Sequence, residues 1–160
     1  MSSRASTRDR VASWRALLLA QSAVLRAIDA DLQRAGHVPL HWYDVLLELD
    51  AAPQRRLRIQ ELAARVVLTR TRVSRLVDRL VDAGLAERQP DPDDGRACFA
   101  ALTPAGRAAL RAAAPVYLAG IEQHFARHLT DEQADAISEG LQQVVDAHRL
   151  LPAPVVPRAR

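Results

Sequence analysis

The sequence predicts a mainly α-helical protein with one small β-hairpin. Apolar residues recur every three or four positions through most of the 160-residue chain, which is the spacing of amphipathic helices. The pattern changes only between residues 85 and 103, where two short extended segments flank a cluster of Pro, Asp and Gly. With 49 % hydrophobic and 26 % charged residues, the composition is that of an ordinary globular protein. Disordered, collagen-like and mucin-like chains are therefore excluded.

The first predicted helix is long and ends near Gly36, whose missing Cβ suits a C-terminal cap. It carries a narrow apolar seam in which Gln21 fills the one polar position. The seam residues are Val11, Trp14, Leu18, Leu25, Ile28 and Leu32. This seam is longer than a small lobe needs to cover its core, so it predicts a helix that also meets a partner.

Three shorter helices follow in the prediction. The first starts at Pro39, and the second spans about residues 59–66. The third begins after Thr69, a good N-cap, and ends before Gly84. Its inward face carries Val73, Leu76, Val77, Leu80 and Val81.

The rest of the chain is predicted as a hairpin and two helices. Residues 85–89 and 97–103 predict antiparallel strands on either side of the turn-forming cluster. Thr103 caps the next helix, in which Pro115 should cause a bend. A capping box that starts at Thr130 opens the last helix.

The order helix, short helix, helix and hairpin is that of a winged helix-turn-helix lobe, here over residues 37–103. Residues 1–36 and 104–151 are interpreted as dimerisation helices, because their apolar stripes need partners. Residues 152–160 are interpreted as a flexible tail. The alternative is that the terminal helices pack within a single subunit.

Positive charge is concentrated in one part of the chain. All 22 basic residues are arginine, and the net charge is +3. Residues 55–79 hold eight arginines against two acids, a local charge of +6 that is typical of polyanion binders. The polar face of the fourth helix could enter a DNA major groove about 12 Å wide. That face carries Thr71, Ser74, Arg75, Asp78, Arg79 and Asp82, with Arg72 at its edge.

Residues 57–110 resemble the MarR family of bacterial transcription regulators. The matching segments are Leu76 to Leu80, Gly84 with Leu85, Asp94 to Arg96, and Leu102 to Gly106. The resemblance implies a homodimer, more often a repressor than an activator, whose affinity for double-stranded DNA changes with a small-molecule or redox signal. By position it implies DNA contacts at Thr69, Arg70, Thr71, Arg72, Ser74 and Arg75, and a wing contact at Arg96 that Asp94 orients.

The resemblance also implies an effector pocket at the junction between the dimerisation helices and the DNA-binding lobe. The predicted ligand is a small, partly aromatic or anionic molecule, with Arg15 as a counter-ion. The residues assigned to the pocket are Trp14, Arg15, His41, Trp42 and Tyr117. Ordinary core packing is the alternative explanation for the aromatic residues.

A histidine pair and a lone cysteine carry metal-binding or reactive side chains. His124 and His128 have a spacing that can clamp a metal ion, but no Cys or carboxylate motif near them completes a ligand set. Surface or interface histidines are favoured, and no metal or cofactor is predicted. Cys98 lies on the same side of the predicted strand as Ala100 and Leu102. It is therefore predicted to point inward and to act as a small hydrophobic residue.

The sequence contains no nucleophile elbow, Walker loop, dinucleotide fingerprint or zinc-peptidase helix, so an enzyme is not predicted. The apolar run 16–20 is too short for an export signal, and no uninterrupted apolar run approaches a membrane span of about 18 residues. A cytoplasmic protein without a membrane partner is expected. Two alternatives to the regulator stay open: a sequence-tolerant architectural DNA-binding protein, and a winged helix in which Arg75 and Arg79 meet an acidic protein.

Overall fold

The computed structural model describes residues 7–66, 70–94 and 97–148. Within these ranges the chain forms six α-helices, a three-stranded antiparallel sheet and two short 3-10 turns, so the expectation of a mainly helical protein with a small β-wing is confirmed. The elements in chain order are α1 (Thr7–Arg34), α2 (Leu40–Ala51), a 3-10 turn (Pro53–Arg55), β1 (Arg56–Arg58), α3 (Ile59–Arg65), α4 (Arg70–Asp82), β2 (Ala86–Pro90), β3 (Cys98–Leu102), α5 (Pro104–His124), a second 3-10 turn (Ala126–His128) and α6 (Asp131–Ala147).

The sheet contains one strand more than the predicted hairpin. β3 lies between β1 and β2, so that Leu57 and Arg88 are opposite Ala100 from its two sides. β1 is only three residues long and shows too little alternation to be recognised in the sequence. Gln54 and Arg55, with φ of 55° and 54°, turn the chain from α2 into β1 through a conformation that is uncommon outside glycine.

The core lies between α2, α3, α4 and the sheet. The inward face of α4 is buried as predicted, and Val73, Val77 and Leu80 are completely shielded from solvent. Ile28 of α1 and Leu110 of α5 pack against the same cluster. The lobe that carries α4 is therefore held by both terminal regions of the chain.

Two glycines end helices where the sequence predicts an end. Gly36 and Gly84 have φ of 75° and 72°, a left-handed conformation that strains residues with a Cβ. α5 remains helical through Pro115, the position at which a bend was expected.

The predicted helix starts are set by side-chain caps. Thr103 Oγ accepts a hydrogen bond from the Gly106 amide at 3.0 Å at the start of α5. Thr130 and Gln133 form the expected capping box at the start of α6. Thr69, the predicted N-cap of α4, lies outside the described residues.

The N-terminal part of α1 and the whole of α6 stand away from the core. Trp14 is 60 % exposed, and none of the residues 131–147 of α6 is buried. Residues 9–34 have the length and composition to cross a membrane, although the signal segments and core helices of other proteins pass the same test. The uninterrupted apolar runs of this segment are short, because Arg15 and Arg26 interrupt them.

Candidate nucleic-acid interface

α4 separates its apolar residues from its charged ones. Val73 and Val77 are buried, whereas Thr71, Arg75 and Arg79 are exposed on the other side of the helix. A single helix that is anchored by one face and presents arginines on the other has the form needed to enter a major groove. The predicted recognition face is thus accessible in the folded lobe.

The other predicted DNA contacts are described in part. Ser74 is half-buried on α4, and Asp94 is exposed in the loop between β2 and β3. Arg70 is the first residue of α4. Thr69 and Arg96 lie outside the described residues, so the wing-tip contact stays a prediction.

Arg88 of β2 ties the wing to α4, a role that the sequence analysis missed. Its Nη2 donates to Ser74 Oγ at 2.9 Å and to the Ser74 carbonyl oxygen at 3.2 Å. Its Nε and Nη2 donate to Asp78 Oδ1 at 3.0 and 2.8 Å, and its Nη1 donates to Cys98 Sγ at 3.0 Å. Burial disfavours the charge, but the bonds to Asp78 and Cys98 outweigh it and raise the pKa of Arg88. No sequence pattern pairs a strand residue with a helix residue 10 or 14 positions away.

His41, which was predicted to belong to the effector pocket, is exposed and lies near the arginine-bearing face of α4. It lines a depression of about 240 Å³ together with Arg72, Arg75 and Arg79. His41 belongs to the first turn of α2, so the N-terminal end of that helix is brought to the arginine-rich face of α4. The depression beside the arginines of α4 therefore includes a residue from a second helix.

The base of the wing is held by an ion pair. Arg58 Nη2 lies 2.7 Å from Asp91 Oδ2, and the side chain of Asp91 is only 1 % exposed. The guanidinium groups of Arg56 and Arg58 lie 4.7 and 5.7 Å from the centre of the Phe99 ring, within the range of cation–π contacts. These contacts connect β1 to the hairpin and fix the direction in which the wing leaves the lobe.

An aromatic pair joins α2 to α5. The rings of Tyr43 and Tyr117 are stacked, with centroids 4.4 Å apart. Burial raises the pKa of both phenols. Burial, with the neighbouring Glu48, also raises the pKa of Asp44 to about 6. Tyr43 and Asp44 were not among the predicted site residues, because an aromatic and an acid on a core helix give no distinctive spacing.

The five residues predicted to form the effector pocket lie in different surroundings within the chain. Tyr117 stacks on Tyr43, and Trp42 is half-buried at the edge of the core. Trp14 and Arg15 are exposed on α1, whereas His41 lies beside α4. The effector pocket stays a prediction.

The histidine pair does not form a metal site with other described side chains. His124 Nε2 lies 2.7 Å from Asp31 Oδ2, which joins α5 to α1. This hydrogen bond, with the positive charge of Arg34, lowers the pKa of Asp31. Among the residues that the structure describes, no group of three His, Cys, Asp or Glu is arranged to hold a metal ion. Cys98 is half-buried against the core.

Comparison with known proteins places this architecture in a family. A sequence model of the MarR family matches residues 31–97. Sco3205 from Streptomyces coelicolor, a MarR family transcriptional regulator solved in complex with DNA, is 34 % identical, with a TM-score of 0.80 over 95 % of this chain and 94 % of its own. This chain belongs to the MarR family. Since MarR-family proteins are transcription regulators, it is a regulator and not an enzyme.

Other solved MarR-family structures agree with this assignment. AbsC, also from Streptomyces coelicolor, is 26 % identical, with a TM-score of 0.80 over 92 % of this chain and 99 % of its own. A cysteine variant of MarR from E. coli, complexed with operator DNA, is 20 % identical, with a TM-score of 0.75 over 88 % of this chain and 99 % of its own; it shows likeness in fold alone. No curated protein matches the chain.

Proposed function

We propose that this MarR-family protein is a homodimeric, sequence-specific regulator that binds a pseudo-palindromic operator in double-stranded DNA. The observation that carries the proposal is that α4 has two different faces. Val73 and Val77 are buried on one face, and Thr71, Arg75 and Arg79 are exposed on the other. Arginine forks suit both guanine edges and phosphates. The DNA complex of Sco3205, at 34 % identity, supports the same partner for this chain.

Dimerisation is supported by the apolar surface that one subunit leaves uncovered. A groove of about 800 Å³ runs between α1, the end of α5 and α6, and is lined by apolar side chains such as Leu17, Phe125 and Leu141. Large apolar residues are also exposed on the same helices, among them Trp14 of α1 and Val144 of α6. Monomeric proteins rarely expose a continuous apolar surface of this kind. A second copy would cover it and would set two α4 helices on one side of the assembly.

The regulator is proposed to act in the cytoplasm as a ligand-responsive repressor. The stacked pair of Tyr43 and Tyr117 joins α2 of the DNA-binding lobe to α5 of the dimerisation region. A small molecule that separates these helices would change the spacing of the two recognition helices. Binding of such a ligand is measured by Trp fluorescence and melting temperature across phenolic acids and drugs, and a flat response would remove the effector from the proposal.

Selection on a random duplex library tests the central proposal. Purified protein is mixed with the library at about 150 mM salt, which screens weak surface electrostatics, and the bound pool is sequenced. We expect an inverted repeat with half-sites about 10 base pairs apart. Binding without enrichment and with a steep salt dependence would instead favour the architectural protein, and absence of binding would favour a protein partner.

A further inference from the structure

The guanidinium of Arg88 connects the wing to the recognition helix through several hydrogen bonds at once. Its guanidinium uses all three nitrogens on protein acceptors: the oxygens of Ser74, the carboxylate of Asp78 and the sulfur of Cys98. Ser74 and Asp78 are four residues apart on α4, so one side chain from the wing spans a full turn of the recognition helix. Because each of its three nitrogens already donates to the protein, Arg88 is suited to position other groups.

The contact with Ser74 restricts what the serine hydroxyl can do. A serine hydroxyl has one hydrogen to donate and two lone pairs that accept. A guanidinium only donates, so Arg88 Nη2 at 2.9 Å occupies a lone pair of Ser74 Oγ. The positive charge also repels the hydroxyl hydrogen, which turns away from Arg88. Ser74, which is half-buried, is therefore left with its hydroxyl hydrogen to donate on the side away from Arg88.

We propose that Arg88 is a positioning residue for DNA recognition, which holds Ser74 as a donor to an acceptor atom of the bound DNA. This inference rests on the proposed function, because it concerns the same α4 surface. The acceptor is either a base edge, such as guanine O6 or thymine O4, or a phosphate oxygen. Cytosine presents only a donor in the major groove and would be disfavoured at a base facing Ser74.

A double-mutant cycle on the selected operator tests the coupling. The dissociation constants of the wild type, Ser74→Ala, Arg88→Met and the double variant are measured by fluorescence anisotropy. We expect Ser74→Ala to weaken binding about three- to tenfold, the scale of one hydrogen bond. Arg88→Met should add much less in the Ser74→Ala background than in the wild type. Ser74→Thr, which keeps the hydroxyl, should retain most of the affinity.

Loss of Arg88 also leaves the Asp78 carboxylate, which is 56 % exposed, without this partner near the DNA phosphates. An unpaired carboxylate would repel the phosphates and weaken binding by itself. The cycle is therefore repeated in an Asp78→Asn background, where this repulsion is absent and the coupling between Arg88 and Ser74 should persist. Thermal unfolding of each variant separates affinity loss from unfolding. A loss confined to one base pair assigns the acceptor to a base, and an equal loss on all duplexes assigns it to a phosphate.

The outcomes distinguish this inference from the proposed function. If the wild type enriches no sequence, both are overturned. If the wild type binds its operator but Ser74→Ala binds equally well, the donor role of Ser74 is wrong. If the effects of Arg88→Met and Ser74→Ala are fully additive in the Asp78→Asn background, Arg88 does not act through Ser74.

Discussion

Asp44 is a carboxyl group whose ionisation opposes folding. Its pKa is raised from 3.8 to about 6, first by burial and then by Glu48. The folded state therefore binds the proton more tightly than the unfolded chain does. The resulting penalty is absent below the unfolded pKa, grows as pH rises between the two values and is complete above about 6.

We expect Asp44→Asn to stabilise the protein at about pH 7, by at most about 3 kcal/mol, since one pKa unit corresponds to about 1.4 kcal/mol. The gain should vanish below about pH 4, where the aspartate is protonated in both states. Urea unfolding at a series of pH values measures this. Asp93→Asn, at an exposed loop position, should change little at any pH. A gain that is the same at all pH values would contradict the assignment to ionisation.

Arg75 tests base recognition at the α4 surface. Its exposed guanidinium is expected to contact a base edge, so Arg75→Ala should cost about 1–3 kcal/mol and relax preference at one base pair. Affinity for the selected operator and for its single-base variants measures this. Arg111→Ala, exposed on α5, removes the same charge outside this surface and serves as the control. Equal losses on operator and random DNA would instead indicate a phosphate contact.

At the scale of elements, the wing is locked to α5 through a glycine. A Cβ at Gly106 would lie 2.0 Å from the Leu85 carbonyl oxygen and 2.8 Å from Leu102 Cδ1. Both distances are shorter than a contact allows, and one neighbour is backbone that cannot rotate aside. The start of α5 is thereby packed directly on the residues that flank the hairpin.

Gly106→Ala is therefore expected to lower the free energy of unfolding by about 1–3 kcal/mol, the usual cost of overpacking, despite the better helix propensity of alanine. Chemical denaturation followed by circular dichroism measures the change. Ala105→Ser adds one heavy atom at the exposed neighbouring position and should be nearly neutral. An unfolding free energy that rises on Gly106→Ala would show that the hairpin can shift away at little cost.

Local chemistry made most elements predictable. The apolar period located α1 to α6, and Gly36, Gly84 and Thr103 marked where helices end or begin. β1 was missed because its three residues gain their strand conformation only by pairing with β3. Glutamine is not typical of left-handed backbone, so the turn at Gln54 before β1 was also not predicted.

For the molecule as a whole, the exposed apolar surface of α1 and α6 is the basis of the proposed homodimer. Leu141 is 37 % exposed and lines the groove between these helices. Since it contributes little to the core of its own subunit, a charge there should affect association more than folding. We expect Leu141→Glu to shift the protein from dimer to monomer in sedimentation equilibrium.

Gln143→Glu is the matched control, because it adds the same charge two positions along α6, where the side chain does not line the groove. It should leave the dimer intact. A wild-type protein that sediments as a monomer at micromolar concentration would contradict the proposed homodimer. A dimer unaffected by Leu141→Glu would place the interface on another surface.

The order of the helices, the hairpin, the buried face of α4 and its exposed arginines could all be predicted from the residues alone, because these features depend on periodicity and on short-range caps. Which residues of separate elements meet depends on the packing of the folded chain. Arg88 reaches Ser74 across the wing, His41 lies beside Arg75, and Tyr43 stacks on Tyr117. Such contacts depend on how whole elements pack against one another, and no local pattern of residues encodes this packing.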